Sequence, residues 1–341
     1  MLKNSYKMLF LSMLFLGTIL SICSSSWFSV WMGLEINLLS FIPLMMKTNN
    51  LYSSESSLKY FLTQALASSI LLFIIIYLSL LNLNLLIKFN STINMIFMSI
   101  LMLKIGMTPF HFWFPIVMEG LNWINNLILM TWQKIAPMIL ISYCLNFTFF
   151  SLSIILSIIV SSINGLNQTS LRKIMAYSSI NHLGWMLAGI LNNQNIWIIY
   201  FLFYSFLSIS IILIFNNFKI FNLNQIFSFL NFKNLIKTMI FFPFLSLGGL
   251  PPFIGFFPKW IIIEFLISIN YFFMLFLMIY FTLITLYFYL RISYSSFLLN
   301  YNEMNWNFSN YLNYSNFFLS SIFLYFNIFG LIFINMIFFI L

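Results

Sequence analysis

Glu35, Lys104, Lys134 and Lys259 each fall near the middle of a long apolar run. A charge at that depth in a bilayer costs roughly 2.5–3.5 kcal/mol on insertion scales, so each must be offset by water, by pairing or by neutralisation. Burial disfavours a charged form and an oppositely charged neighbour favours it. A row of such groups therefore changes protonation at modest cost, and each change alters the affinity of the next. That is the chemistry of a proton relay. The alternative is a set of static ion pairs that lock helices together, but one acid cannot pair three lysines. His182, in Ser178-Ser179-Ile180-Asn181-His182-Leu183-Gly184-Trp185, is open to either reading, as relay member or as structural hydrogen-bond donor. His111 is read as structural. Glu119 and Glu264 lie close to the ends of apolar runs, where they cap or snorkel.

The elements that position these groups are announced by a stretch that occurs twice. Gly106-Met107-Thr108-Pro109-Phe110-His111-Phe112-Trp113-Phe114-Pro115 is matched by Gly249-Leu250-Pro251-Pro252-Phe253-Ile254-Gly255-Phe256-Phe257-Pro258, at a constant offset of 143 residues. Proline removes an amide donor and breaks a helix, so Gly106, Pro109, Gly249, Pro251 and Pro252 are expected to interrupt their spans. A break inside a membrane is tolerated only where protein or a water-filled cavity satisfies the freed backbone groups. Paired Gly/Pro-interrupted spans in the two halves of a chain point to a transporter's pathway. Lys104 stands just before the first copy and Lys259 directly after the second. The two stretches mark an ion path.

Of the 341 residues, 62% are apolar and 6% charged, with a mean hydropathy of +1.02. Soluble domains carry roughly a quarter charged residues, so the expectation is an all-α polytopic membrane protein with negligible extramembrane mass. There is no aspartate, and acids number 5 against 14 Lys and Arg, a net charge of +9. In a soluble protein that balance would suggest nucleic acid; here it is read as topology, and no nucleic-acid partner is expected. Cys23 and Cys144 are too few for an iron–sulfur or zinc framework. There is no G-x-G-x-x-G, Walker A or H-E-x-x-H pattern, so the chain itself is expected to bind no cofactor and no metal. Lys3 and Lys7 ahead of the apolar run 8–23 imitate a signal peptide. The run is long for that and many spans follow, so it is read as the first helix. The excess of Phe, Ile, Asn, Lys and Tyr fits the AU-rich codons of a small organellar genome.

Windows of about 20 apolar residues give eleven spans. They lie near 7–25, 27–46, 58–81, 92–115, 121–144, 147–167, 172–191, 195–217, 237–266, 271–297 and 315–340. The connections are short and rich in Asn and Ser, which makes residues 1–341 a single membrane domain. Alternating sides from the N-terminus puts Lys3, Lys7, Lys47, Lys59, Arg172, Lys173, Lys219, Lys233, Lys237 and Arg291 on the N-terminal side. Lys88 alone falls on the other. That bias is a positive-inside signal: the N-terminus faces the negative compartment and the C-terminus the opposite one. The broken helices are the fourth and ninth spans, so they cross in opposite directions. The expected plan is two inverted five-helix repeats, 7–144 and 147–297, followed by 298–341 as a loop and terminal helix. Lys134 falls in the fifth span, which is expected to run unbroken.

Several segments carry a family resemblance. They are Trp31-Met32-Gly33-Leu34-Glu35-Ile36-Asn37, the Lys104 broken helix, Trp132-Gln133-Lys134-Ile135-Ala136-Pro137, Leu166 to Lys173, Ser178 to Trp185, and Gly248 to Trp260. Together, over residues 7–297, they resemble the antiporter-like membrane-arm subunits of mitochondrial respiratory complex I, of insect type. The resemblance implies proton translocation across the mitochondrial inner membrane, coupled to NADH oxidation and ubiquinone reduction on other subunits. NADH, FMN, iron–sulfur clusters and ubiquinone are implied for the whole complex only. The resemblance also implies that Glu35 and Lys104 form the charged pair of the first half, Lys134 the central relay and Lys259 the lysine of the second broken helix; His182 matches a family histidine. Implied partners are the other membrane-arm subunits and the lipid bilayer, cardiolipin included. Bacterial members of the family carry three further helices at the start, which leaves open what seals that flank here. Two other readings stay open: a free-standing monovalent cation/proton antiporter, disfavoured by the absence of aspartate, and a non-pumping structural subunit, which would not need three lysines in mid-span.

The distribution of basic residues makes a direct prediction. Protease or thiol-reagent mapping is expected to find the 46–57 and 218–236 loops on the matrix side and the C-terminus on the other. A 218–236 loop exposed to the intermembrane space would remove both the span count and the inverted repeat.

Overall fold

Long runs of Leu, Ile, Phe and Met leave a backbone in lipid only itself to bond with, and the helix satisfies every group within one segment. The computed structural model describes residues 5–46, 50–80, 91–191, 194–229, 234–298 and 321–331. Those residues are all-helical apart from their connections and one isolated antiparallel bridge between Ser170 and Asn222. The chain divides into two units, Met1–Ser153 and Ile154–Leu341.

The first unit holds α1 (Ser5–Cys23), α2 (Trp27–Met45), α3 (Leu51–Leu80), α4 (Ser91–Ile105), α5 (Trp113–Gly120), α6 (Trp123–Met130) and α7 (Trp132–Tyr143). α8 (Phe147–Leu166) runs across the boundary. The second unit continues with α9 (Leu171–Ile190), α10 (Gln194–Phe218), α11 (Leu223–Phe229), α12 (Asn234–Gly248), α13 (Phe256–Ser268) and α14 (Phe272–Leu298). A further apolar helix covers Ser321–Leu331. Lys3, Lys47, Lys88, Lys233 and most of 298–341 lie outside the described residues.

Among the described residues seven helical stretches are long and apolar enough to cross a membrane: α1, α2, α3, α6 with α7, α8, α10 and α14. The other four expected spans each have a reason for missing that threshold. The fourth and ninth are cut into shorter pieces, α4 with α5 and α12 with α13. The seventh, α9, carries Arg172, Lys173, Ser178, Ser179, Asn181 and His182 among its residues. Of the eleventh, only 321–331 is described.

Two boundaries differ from expectation. α3 begins at Leu51, well before the apolar window at 58, so Lys59 lies on the helix rather than in a loop. There it pairs with Glu55 one turn earlier at 2.6 Å, both side chains being exposed. The fifth span, expected to be continuous, is divided at Thr131, whose ψ of −72° ends α6 before α7 starts. Thr131 Oγ1 donates to the Leu127 carbonyl at 2.7 Å, back-bonding of the kind that bends helices. Lys134 N–H then bonds Thr131 O, three residues back, at 3.2 Å. Lys134 thus follows an interruption, where an unbroken helix was expected.

α1 and α2 meet backbone to backbone. A Cβ at Gly33 would lie 2.6 Å from Ser21 N and 2.9 Å from Gly17 O, and one at Gly17 would lie 2.9 Å from Asn37 N. With no hydrophobic drive between helices in lipid, close approach through small residues is what gains dispersion energy. This contact fixes the segment of α2 that carries Glu35. In the second unit α9 is buried on nearly all its sides. A Cβ at Gly184 would overlap Ser157 Oγ of α8 and crowd Ile158 Cγ1 at 2.8 Å.

Backbone atoms cannot retreat as a flexible side chain can, so Gly33→Ala is expected to force α1 and α2 apart. The cost expected is about 1–3 kcal/mol, as for overpacking elsewhere, read as a lower midpoint for heat-induced loss of the folded chain. Leu20→Ala, on the exposed face of α1, is the control and should leave the midpoint in place.

Candidate functional site

The two breaks end their leading helices in the same way. Gly106 has φ 78° and Gly249 φ 80°, the left-handed region that glycine enters without steric cost. Met107 N bonds Met102 O at 3.0 Å and Gly106 N bonds Leu103 O at 3.1 Å. Leu250 N bonds Leu245 O at 3.3 Å and Gly249 N bonds Ser246 O at 3.0 Å. Each is a Schellman cap, with glycine at the position after the helix end. The peptide bonds before Pro109 and Pro252 are both cis. After the breaks, the chain resumes helix at Trp113 and at Phe256.

A Schellman cap leaves the last two carbonyls of its helix without intrahelical donors. At the first break, neutral side chains serve the end of α4. Gln64 Nε2, buried in α3, donates to Lys104 O, one of those two, at 3.1 Å, and Trp113 Nε1 adds a second donor to Leu103 O, already bonded within the cap, at 3.1 Å. At the second break, Lys259 Nζ from α13 folds back to donate to Gly248 O at 2.7 Å and to Leu247 O at 3.4 Å. Its stem packs on Gly249, where a Cβ would meet Lys259 Cδ at 2.9 Å. A Cβ at Gly255 would overlap the Ser246 carbonyl oxygen, which draws the two sides of this break together. The terminal helix joins in: Ile254 N–H bonds Asn327 O at 3.3 Å, and Asn327 Nδ2 donates to Ser210 Oγ of α10 at 3.0 Å.

The sequence-predicted residues therefore occupy two places. Glu35, Lys104 and Lys134 belong to the first unit, His182 and Lys259 to the second. Lys104, 8% exposed, lies in the last turn of α4. The Glu35 carboxylate acts on it electrostatically without a direct ion pair, and Glu35 Oε2 is buried with no hydrogen-bond partner. Lys134, 1% exposed, points its ammonium at the Phe114 ring, 5.3 Å from the centroid. Phe114 in turn packs against Gly106, so Lys134 reaches the first break through an aromatic face, a contact that favours the cation. One residue before it, Gln133 Nε2 donates to Asn37 Oδ1 of α2 at 2.9 Å, two residues from Glu35. His111 is buried inside the first break, its ring against Phe112.

Sequence reasoning assigned no role to Gln64, to the Gln133–Asn37 link, or to the surroundings of His182. The His182 ring nitrogen Nδ1 lies 2.8 Å from the Tyr200 hydroxyl, and its ring is 5.0 Å from that of Tyr204. Tyrosines four apart on one helix were a signal available in the sequence; among 17 tyrosines and 45 phenylalanines it did not stand out. Among the described residues no group of three or more His, Cys, Asp or Glu could hold a metal ion.

The chain can now be set beside known proteins. The family model described as NADH:quinone oxidoreductase/Mrp antiporter, TM, matches residues 24–285. NADH-ubiquinone oxidoreductase chain 2 of Anopheles gambiae is 57% identical over 341 residues, covering 100% of both chains. In fold, a chain of respiratory complex I from Thermus thermophilus is similar at a TM-score of 0.80 and 21% identity, over 96% of this chain and 79% of that one. A chain of the Mrp complex from a Dietzia species is similar at a TM-score of 0.73 and 15% identity, over 84% and 59%. With its two capped breaks, its buried lysines and a family match across most of its length, the chain belongs to the NADH:quinone oxidoreductase/Mrp antiporter membrane family.

Proposed function

We propose that this chain is a core proton-translocating subunit of the membrane arm of a respiratory NADH:ubiquinone oxidoreductase in the mitochondrial inner membrane. NADH oxidation and ubiquinone reduction, with FMN and iron–sulfur clusters, belong to other subunits, and this chain contributes no redox step. The observation that carries the reading is the set of three buried lysines placed at helix interruptions. They stand in a chain 57% identical, end to end, to an insect subunit that bears that enzyme's name. Its partners are the other membrane-arm subunits and the bilayer lipids, cardiolipin included; exposed side chains such as Phe73 and Phe273 suit a lipid or subunit contact.

On this reading Glu35, Lys104 and Lys134 are the relay groups of the first unit, and Lys259 with His182 those of the second. Glu35 as a carboxylate holds the proton on Lys104. When Glu35 is neutralised or moves away, Lys104 gives up its proton more easily, because the attraction that held it, strong in low-dielectric surroundings, is gone. Lys134 on α7, the helix packed against α4, is the next acceptor. The finer topology attached to this reading is eleven spans in two inverted five-helix repeats, N-terminus toward the matrix and C-terminus toward the intermembrane space. Its support is the one-sided distribution of basic residues and the matched caps at the two breaks.

Lys134→Met keeps the length and the apolar stem and deletes the proton site. The expected outcome is normal assembly, retained NADH oxidation in uncoupled membranes and a reduced proton yield per NADH. Arg at 134 should do no better than Met, because a guanidinium does not release its proton in a protein. The measurement is proton flux against NADH turnover in reconstituted vesicles. Unchanged coupling in Lys134→Met would take this residue out of the relay.

A further inference from the structure

His182 stands in the second unit among hydroxyls drawn from three helices. Tyr200 and Tyr204 lie one turn apart on one face of α10, the first bonded to His182 Nδ1 at 2.8 Å and the second with its ring 5.0 Å from the imidazole. Tyr289 of α14 is an electrostatic neighbour of both. Ser178 and Ser179, four and three residues before His182 on α9, donate to the carbonyls of Met175 and Ala176, each at 2.7 Å, and are polar neighbours of Tyr289 and of Tyr204. The three phenols are 2%, 3% and 2% exposed. Tyr289 also reaches the second break. A Cβ at Gly248 would lie 3.5 Å from its Cδ2, and Gly248 O is the acceptor of Lys259 Nζ at 2.7 Å.

Packing alone does not account for these residues. Phenylalanine fills the same volume with no hydroxyl to bury, and this chain uses it 45 times. Three buried phenols and two serines, grouped around Tyr200 and Tyr204 beside one imidazole, have their use in the hydroxyls.

We infer that Tyr200, Tyr204 and Tyr289 form a hydroxyl relay that carries protons between Lys259, at the second break, and His182. The inference rests on the proton-translocating reading above. Each hydroxyl releases its own proton to the next acceptor as it takes one from the group behind, so no phenolate accumulates. The proton and positive charge lost by the Lys259 ammonium reappear on the His182 imidazole, and the reverse transfer resets both. The serines hold Tyr204 and Tyr289 in line with the helix that carries His182.

The test uses Tyr200→Phe and Tyr289→Phe in the assembled enzyme, with Lys259→Met as reference, measuring protons translocated per NADH oxidised in sealed vesicles. That ratio is independent of how much complex assembles, so a loss of packing alone does not move it. Each phenylalanine variant is expected to lower the ratio to the value given by Lys259→Met. If Lys259→Met lowers the ratio and the phenylalanine variants do not, the hydroxyl relay is overturned while the lysine relay stands. If Lys259→Met leaves it unchanged, the relay reading of the second unit falls and the inference with it. Should one phenylalanine variant fail to assemble, the other decides; failure of both assigns the tyrosines to packing and overturns the inference.

Discussion

A carbonyl that loses its helical donor inside a membrane must find another, and the two breaks of this chain are shaped by how they meet that demand. Both use the same glycine-centred cap for the first pair of carbonyls. They part company over the next pair. At the first break, neutral Gln64 serves Lys104 O of that pair, while neutral Trp113 adds a second donor to Leu103 O, a carbonyl already bonded within the cap. At the second, a lysine does it. The consequence reaches the site, because a side chain occupied in capping is not free to look elsewhere.

Lys104 and Lys259 are thereby unlike in situation although both sit beside a break. Lys104 belongs to the helix that ends, and its own carbonyl is satisfied by Gln64, so its ammonium is left to Glu35 and to the surroundings of α7. Lys259 belongs to the helix that begins, and leans back across the gap to the end of the helix before it. The negative end of α12 is a favourable place for a cation, and the effect is largest where the site is buried. Asn327 secures the same break from a third direction, through Ile254 and Ser210. The terminal helix, which looked merely appended when judged by hydropathy, is tied to the second break by hydrogen bonds that hydropathy cannot register.

Much of this was legible before any coordinates. Glycine followed by proline inside an apolar run marks where each broken helix stops, because the missing donor and the left-handed glycine are local properties of the chain, whereas Pro43, Pro137 and Pro243, without such a glycine, lie within helices. The mid-span position of the lysines is likewise a matter of counting. Three things were not legible. The interruption at Thr131 depends on a threonine bonding back to its own helix, which most threonines in apolar helices do without ending them. The start of α3 at Leu51 was hidden because Ser, Glu and Lys at a helix end read as loop when only apolarity is counted. The cap supplied by Gln64 and the hydroxyl at His182 are contacts between successive helices, with spacings of 40 and 18 residues, and no local pattern announces them.

The capping role of Lys259 is compatible with the proton transfer proposed for it. An ammonium has three N–H donors and a neutral amine two, and the break presents two carbonyls to Nζ. Loss of one proton therefore leaves enough donors to keep both carbonyls bonded, while removing the charge that complements the helix end. The cap geometry survives the change and its strength does not, since hydrogen bonds from a charged donor are roughly twice as strong as those from a neutral one. Deprotonation at Lys259 thus loosens the second break without dismantling it, and whatever tightens or loosens the break alters the proton affinity of the lysine by the same amount of free energy. A relay group that also holds a helix end is one through which movement of a helix and movement of a proton are made to depend on each other.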